Sequence, residues 1–334
     1  MRTSIVICSY SVDRWRDLVD AVESCRAQSM PADQLLVVID HNPILAARAH
    51  EKFDNVDVLE NQFDRGLSGA RNTGLRAATG DVIAFLDDDA VADVQWLAEL
   101  VAPMLDSRVA GVGGWVVPRW TDAAPRWFPE TFSWVLGCSY AGLPDDGDEI
   151  RNPIGASMAF RSSVFDIAGG FSSDLGRVGS NASGCEETEL CIRYAKRVPG
   201  DRFVLSRRAI VHHRVPASRL TWRYHLQRCW SEGLSKAAVS TLVGTNDGLR
   251  SERSYVARAL PAEVLASARK ILRSPVTECN RLTHVIIGLA ATSCGYVQGL
   301  ARIWLRRKFT QRPSLSENDV GARMTDGAGP LGPA

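Results

Sequence analysis

The chain has 334 residues, of which 45% are hydrophobic and 23% are charged, and its 39 Lys and Arg nearly balance its 38 Asp and Glu. This apolar fraction excludes a disordered or collagen-like chain, and the length favours two folded units. The eight cysteines form no Cys-x-x-Cys pair, which disfavours a disulfide scaffold or a zinc clip, so we expect reduced thiols in the cytoplasm. The apolar run after Met1 is too short for a secretory signal, so we expect no export.

The charges are unevenly distributed along the chain. Residues 215–310 hold 15 Lys and Arg against 5 Asp and Glu, whereas residues 1–214 hold 22 against 30. An acidic first region suits metal-bridged phosphate chemistry, and a basic second region suits an anionic surface. The chain has no zinc-finger spacing, RNA-binding signature or recognition helix, so we expect no nucleic-acid partner.

Strands and helices alternate in the first part of the chain. We predict strands at residues 3–8, 35–40, 56–60 and 81–89, with a helix after the first strand and another at 68–78. Several of these strands are continuously apolar, as expected for a sheet that is covered on both faces. The pattern predicts an open α/β sheet with mostly parallel strands and flanking helices.

The second part of the chain changes in character. A strand at 109–118 leads into a long irregular section at 118–152, and a strand and turn follow at 153–165. Beyond Pro216 the pattern is helical and basic, and from residue 311 Pro, Ser, Gly and Asp dominate. We therefore divide the chain into units at 1–215 and 216–310 and a disordered tail at 311–334.

Polar residues end several of the predicted strands. Ligands of open α/β sheets bind beyond the carboxyl ends of the strands, so Ser9, Asp40 and the triplet Asp87 to Asp89 should converge there. Three adjacent carboxylates repel one another unless a counter-charge is present, and no cation is near them in the sequence. A divalent ion bridging to phosphate oxygens would supply that charge, and hard oxygen ligands favour Mn²⁺ or Mg²⁺. The alternative is a solvated acidic turn.

The chain resembles the family 2 glycosyltransferases with the GT-A fold over residues 1–215. The resemblance is carried by IVICSYSVDRW, LLVVID, GLSGARNTGLRAATGDVIAFLDDDA, PIGASMAFRSSVF with GGF, and GCEETELCIR. It implies a nucleotide-sugar-binding and catalytic domain with an open, mixed, mostly parallel sheet flanked by helices. It also implies an inverting enzyme that moves a sugar from a nucleotide-diphosphate donor to an acceptor hydroxyl.

The same resemblance implies roles for individual residues. Five match donor-binding positions, with Asp87 at the ribose: Ser9, Asp40, Arg71, Asp87 and Asp88. Asp89 matches the metal ligand of the DxD motif. His213 follows the strand-like RRAIV, where enzymes with this fold often place a histidine near the metal, and it is preferred over His212.

Glu186, Glu187 and Glu189 open a predicted helix. A helix dipole favours acids in the first turn, so a purely structural interpretation is open. The functional interpretation is that a carboxylate takes the proton of the acceptor hydroxyl as the new bond forms. The family carries this base in an xED motif, so we assign the catalytic role to Glu187, which replaces the usual aspartate, with Glu186 in reserve.

The basic second unit contains a long uncharged stretch, 285–301, followed by a cluster of Arg and Lys. Its 17 residues fall short of the roughly 20 apolar residues that a membrane span requires. We favour an interfacial helix on a membrane, with a span, a buried helix or a homodimer contact as alternatives. The expected location is the cytosol or the cytoplasmic face of a bacterial-type plasma membrane.

The sequence leaves the substrates and two rival functions open. The expected partners are a nucleotide-sugar donor and a glycan, lipid-linked or small-molecule acceptor. A nucleotidyltransferase shares the α/β architecture and the acidic metal site, but the chain lacks a Gly-rich, Lys-containing phosphate loop. A non-catalytic sugar-nucleotide sensor is favoured only by the unusual Glu-Glu pair.

Overall fold

The computed structural model describes residues 1–173, 184–244 and 249–310. Its strands are β1 (Thr3–Ser9), β2 (Gln34–Ile39), β3 (Asp57–Glu60), β4 (Val82–Asp87), β5 (Ala90–Ala92), β6 (Val109–Trp120), β7 (Glu149–Ile150), β8 (Ser157–Arg161) and β9 (Arg202–Val215). The predicted tail at 311–334 lies outside the described residues.

The helices alternate with the strands and then fill the end of the chain. They are α1 (Trp15–Arg26), α2 (Pro43–Lys52), α3 (Leu67–Ala77), α4 (Trp96–Val101), α5 (Ser162–Ala168), α6 (Glu186–Arg197), α7 (Trp222–Val243), α8 (Arg250–Ser254), α9 (Leu260–Lys270) and α10 (Pro275–Thr310). Short 3₁₀ turns at Val12–Arg14 and Ala217–Leu220 carry Arg14 and Arg219.

The strands form one mixed sheet in the order β3-β2-β1-β4-β8-β6-β9-β5, with β7 paired to β9. The first four strands of the chain run parallel to one another, as the alternation of strands and helices predicts. β8 runs antiparallel to both of its neighbours, β4 and β6, which makes the sheet mixed. The predicted open mixed sheet with flanking helices and a helical C-terminal region is confirmed.

Alternate residues of the strands pack on opposite faces of the sheet. Ile5 and Ile7 of β1 share a core cluster with Leu18 and Val22 of α1. Val6 lies in the cluster on the other face, which contains the ring of Phe85. Because both faces are covered, apolar side chains are required at consecutive strand positions.

The predicted strand at 81–89 is interrupted. β4 ends at Asp87, and β5 begins only at Ala90. The intervening Asp88 and Asp89 are both buried and turn the chain, because their carboxylates are held by side chains from other elements, described below.

The helical region after Val215 is built on the pair α7 and α10. The two backbones approach closely at glycines: a Cβ at Gly233 would lie 2.1 Å from the Thr292 carbonyl oxygen, and one at Gly295 would lie 2.2 Å from that of Trp230. Only glycine fits at these two positions, and the helices are therefore fixed against each other.

The Gly295→Val substitution is expected to lower the free energy of unfolding by about 2 kcal/mol or more, because the added side chain must push the two backbones apart. Urea denaturation measures the change. Ala290→Val, on the exposed side of the same helix, is the matched control and should change stability by less than about 0.5 kcal/mol. Equal effects of the two substitutions would contradict the close contact.

Candidate active site

The carboxyl ends of the parallel strands bring the predicted polar residues to one edge of the sheet. Ser9 ends β1, and Cys8 beside it pairs with Asp87 at the end of β4. Asp40 follows β2, and its backbone N–H donates to the Ser9 carbonyl at 2.8 Å. The predicted convergence of Ser9, Asp40 and the acidic triplet is observed.

Asp88 is buried and held by two donors. The Ser9 hydroxyl donates to Asp88 Oδ2 at 2.6 Å, and Arg14 Nη1 donates to Oδ1 at 2.7 Å. Burial raises the pKa of the Asp88 carboxyl to about 6, with the Arg14 guanidinium opposing the rise and the Asp89 carboxylate adding to it. Asp88 therefore ties the end of β1 and the 3₁₀ turn that carries Arg14 to the acidic triplet.

Asp89 lies among three cationic side chains. His213 Nε2 is 3.1 Å from Asp89 Oδ1, and Arg14 Nη1 and Arg219 Nη2 each lie 3.3 Å from Oδ2. Burial would raise the pKa of Asp89, but these cations lower it well below its usual range. Burial would lower the pKa of His213, but the Asp89 carboxylate raises it to about 10.

These contacts correct one step of the sequence argument. The triplet was expected to need a divalent ion because no cation is near it in the sequence. The protein itself supplies counter-charges, because β9 and the turn after it bring His213 and Arg219 to the triplet. Charge repulsion alone is therefore not an argument for a metal ion.

The kinds of side chain at the triplet are a better reason to expect a metal ion. One ligand atom from each of Asp87, Asp89 and His213 can be chosen so that all three lie within 4.8 Å of one another. Two carboxylates and an imidazole suit Mn²⁺, and the carboxylate oxygens also suit Mg²⁺. The residues present therefore fit a divalent ion, which His213 would bind as the neutral imidazole, with the ion taking the place of its proton. Asp87, expected only at the donor ribose, joins Asp89 and His213 in this group.

Arg71 connects the acidic triplet to α6. It is 2% exposed, and its Nη1 donates to Glu186 Oε1 at 2.8 Å. Its Nη2 donates to the Gly155 carbonyl at 3.0 Å and to Asp87 Oδ1 at 3.4 Å. Burial would lower the pKa of Arg71, but Glu186 and Asp87 raise it, so the guanidinium stays charged.

The Arg71→Met substitution is expected to lower the free energy of unfolding by about 3–5 kcal/mol, because it leaves the buried Glu186 carboxylate without its partner. Urea denaturation is the measurement. The double variant Arg71→Met/Glu186→Gln should lose less free energy of unfolding than the sum of the two single variants, because the buried Glu186 carboxylate is then no longer left unpaired. Strict additivity would mean that the two side chains do not interact.

The three glutamates of α6 differ in their surroundings. Glu189 forms a salt bridge with Arg193 at 2.7 Å, one turn along the helix. Glu186 is paired with Arg71. Glu187 is half-buried in the wall of a cavity of about 750 Å³, and burial together with the Glu186 carboxylate raises its pKa to about 8, although Arg71 opposes the rise. The presence of Glu189 in the first turn is thus explained by helix stability alone, whereas Glu186 and Glu187 face other elements or the cavity.

Asp40 has its oxygens engaged by the protein. Asn61 Nδ2 donates to Oδ1 at 2.7 Å, and the Gly66 backbone N–H donates to Oδ2 at 3.0 Å. Gly66 has a positive φ of 138° and directly precedes α3. The carboxylate therefore holds the turn that places Arg71, and its contact with a donor stays a prediction.

Comparison with known proteins places the chain in a family. Residues 4–167 match the family described as glycosyl transferase family 2. The chain is 31% identical over 307 residues to the glucosyl-dolichyl phosphate glucuronosyltransferase of Haloferax volcanii, covering 90% of this chain and 96% of that protein. The chain belongs to glycosyl transferase family 2. The resemblance predicted from the sequence is confirmed.

Further similarities concern other family members and the fold. The succinoglycan biosynthesis protein ExoM of Rhizobium meliloti is 28% identical over 247 residues, covering 70% of this chain and 73% of that protein. A mannosyltransferase from Pyrobaculum calidifontis, solved in complex with GDP-Man and Mn²⁺, superposes with a TM-score of 0.56 at 18% identity, over 89% of this chain and 87% of that one. This superposition supports the GT-A-type fold.

Some side chains at the site of this glycosyltransferase were missed in the sequence. Arg14 and Arg219 contact the acidic triplet, and Arg151 and Lys236 line the cavity, where both pair with Glu252. Arg14 lies within the SYSVDRW stretch next to β1, so its position was a usable signal. The other three come from elements whose packing no local pattern reveals.

Proposed function

We propose that this family 2 glycosyltransferase moves a sugar from a nucleotide-diphosphate donor to an acceptor hydroxyl, with inversion and with Mn²⁺ or Mg²⁺ as cofactor. One observation carries the proposal: Glu187, with its raised pKa, lines the same cavity as Asp87 and His213. A base for the acceptor and ligands for the ion at the leaving group are the two groups that such a transfer requires.

Each residue has a defined task in this proposal. Asp87, Asp89 and His213 would hold the ion, which when bound stabilises the departing nucleoside diphosphate as a Lewis acid. Glu187 takes the proton of the acceptor hydroxyl while the oxygen of that hydroxyl bonds to the anomeric carbon of the sugar. The bond from that carbon to the diphosphate oxygen breaks on the opposite face, and the configuration is inverted.

Glu187 is preferred to Glu186 as the base. Arg71 Nη1 donates to Glu186 Oε1, so this carboxylate is already engaged by a charged side chain of the protein. The pKa of Glu187 is raised to about 8, which is closer to the optimum for a general base near neutral pH. Arg71 thus supports the transfer by holding Glu186 and Asp87 in place.

We propose a lipid-linked acceptor. The Haloferax volcanii relative, similar over 90% of this chain, is named for a dolichyl phosphate substrate. The cavity lining includes Val256 and Leu289, which are also exposed at the surface, so its rim is partly apolar. An acceptor with a polar head and an apolar chain would satisfy both Glu187 and that rim.

We propose that the enzyme works in the cytosol or at the cytoplasmic face of the plasma membrane. All eight cysteines are unpaired thiols in the described part of the chain. Six of them are at least partly shielded from solvent, and unpaired thiols are typical of reducing compartments.

The decisive experiment identifies the products. A thermal-shift screen of nucleotide sugars with and without Mn²⁺ names the donor, because a ligand of the native state raises the melting temperature. Incubation with that donor and lipid-linked acceptors should then release a nucleoside diphosphate, and proton NMR should show an inverted anomeric configuration. Release of pyrophosphate would indicate a nucleotidyltransferase, and binding without turnover with every acceptor would indicate a sensor.

A further inference from the structure

The two sides of α10 have different chemistry. One side packs on α7 and the 3₁₀ turn Glu130–Leu136 through small residues: Cβ atoms at Gly288, Gly295 and Gly299 would lie within about 2.6 Å of Phe132, Trp230 and Ala237, respectively. The helix is therefore packed against the rest of the described structure from Gly288 to Gly299. Its other side faces outward.

The outward side is apolar. We call it the outer stripe: Val276, Ile286, Ile287, Ala290, Val297, Leu300, Trp304 and Leu305, all exposed. Val276 is 83% exposed, Val297 65%, Ile286 64% and Trp304 59%. Their spacing of three, four and seven residues places most of them on one helical face, and the segment from Ile286 to Leu305 is about 30 Å long. A continuous apolar surface of this size indicates an interaction site.

Exposed basic residues lie near both ends of the outer stripe. Arg302 is exposed on the same helix, and Lys308 Nζ lies 5.0 Å from the centre of the Trp304 ring. Arg269, Lys270 and Arg273, at and just after the end of α9, are exposed as well. An apolar strip with a basic border complements a membrane that carries anionic headgroups.

The packing of α10 disfavours a membrane span. By length and composition Pro275–Leu305 could cross a membrane. A spanning helix is surrounded by lipid or by other apolar helices. The partner of α10 is α7, which carries the buried Lys236 and the carboxylate of Glu232, 3.2 Å apart. If α10 crossed a bilayer, α7 and its ion pair would have to enter the membrane together with it.

Charge disfavours a second copy of the chain as the occupant. A symmetric dimer would bring the same patch of both chains together. Residues 215–310 hold 15 Lys and Arg against 5 Asp and Glu, so two basic regions would face each other. Two such regions repel each other, whereas a negatively charged surface attracts each of them.

We propose that the outer stripe of α10 binds peripherally to an anionic membrane, with the helix axis in the plane of the interface and Trp304 and the flanking Arg and Lys at the headgroups. This property goes beyond sugar transfer and does not depend on it. An inactive variant should bind the membrane as well as the active enzyme does.

The full chain is tested by flotation with vesicles of phosphatidylcholine alone or with about 30% phosphatidylglycerol. We expect binding to the anionic vesicles only, with a loss of about tenfold when salt rises from about 50 to about 500 mM. The variants Val297→Ser/Trp304→Ser and Arg302→Gln/Lys308→Gln should each bind at least about tenfold less. The control is Leu105→Ser, at a leucine 82% exposed elsewhere, which should bind as wild type.

A second measurement does not depend on altering the stripe. Cys294 is exposed on α10, and a polarity-sensitive dye attached to it in a Cys279→Ser chain should shift to shorter emission wavelength on anionic vesicles. An unchanged spectrum, resistance of the bound protein to alkaline carbonate extraction, or a dimer in light scattering that Trp304→Ser dissociates would each overturn the proposal. The last two would indicate a span and a dimer contact.

Discussion

Replacing Glu187 with glutamine is expected to lower kcat by about 10³-fold and to leave the affinity for the donor nucleotide sugar nearly unchanged. The amide keeps the size of the side chain but cannot take the proton of the acceptor hydroxyl, which removes a general base worth about 10²–10⁴ in rate. Steady-state kinetics and calorimetric titration with the donor measure the two quantities separately.

The matched control is Glu189→Gln. This residue belongs to the same helical turn, but its carboxylate is 2.7 Å from Arg193 and does not line the cavity. The folded control should keep its kcat within about twofold. If Glu186→Gln abolished turnover while Glu187→Gln did not, the assignment of the base would pass to Glu186.

The pH dependence of the wild-type enzyme follows from the same residue. Glu187 must be ionised to accept a proton, and burial beside Glu186 raises its pKa to about 8. The rate should therefore rise with pH from about 6 and level off above about 8. Glu187→Gln should lose this rising limb. A wild-type rate that is flat over this range would contradict the role of the carboxylate.

Asp89→Asn is expected to weaken metal-dependent donor binding by about 100-fold or more. The amide removes one charged ligand from the group formed with Asp87 and His213 and leaves Arg14 and Arg219 without the carboxylate between them. Calorimetric titration of the donor with and without Mn²⁺ measures the effect. The residual binding should no longer respond to chelation of the metal.

The chain provides a close control for this variant. Asp93 accepts a hydrogen bond from His212 at 2.9 Å, a contact like that of Asp89 with His213, but both residues are partly exposed and lie outside the group formed by Asp87, Asp89 and His213. Asp93→Asn should bind the donor as wild type does. Tight donor binding by Asp89→Asn in the absence of metal would contradict the proposed role of Asp89.

The edge of the sheet at which the site forms could be predicted from general rules. Ser9, Asp40 and Asp87 end or follow parallel strands, and the carboxyl ends of such strands lie side by side. The contacts within the site could not be predicted in this way. His213 reaches Asp89 because β9 pairs with β5 in a register that sets His213 opposite Ala90, and register over this sequence separation depends on the whole fold.

The glutamates of α6 show a different limit. A helix N-terminus favours acids whatever their function, so the sequence cannot separate a stabilising glutamate from a catalytic one. Only the three-dimensional partners do so: Arg193 for Glu189 and Arg71 for Glu186. The uncharged stretch 285–301 was ambiguous for the same reason, because composition does not reveal that one face of the helix is already covered by α7.

The inner side of α10 limits how the chain can be shortened to improve solubility. Leu289 and Thr292 belong to the wall of the cavity, although they lie on the helix that carries the outer stripe. A chain shortened before Pro275 to improve solubility would thus lack the part of this wall that Leu289 and Thr292 supply. Solubility is better sought by polar replacements at the exposed Val276 and Val297, which do not line the cavity and so leave its wall intact.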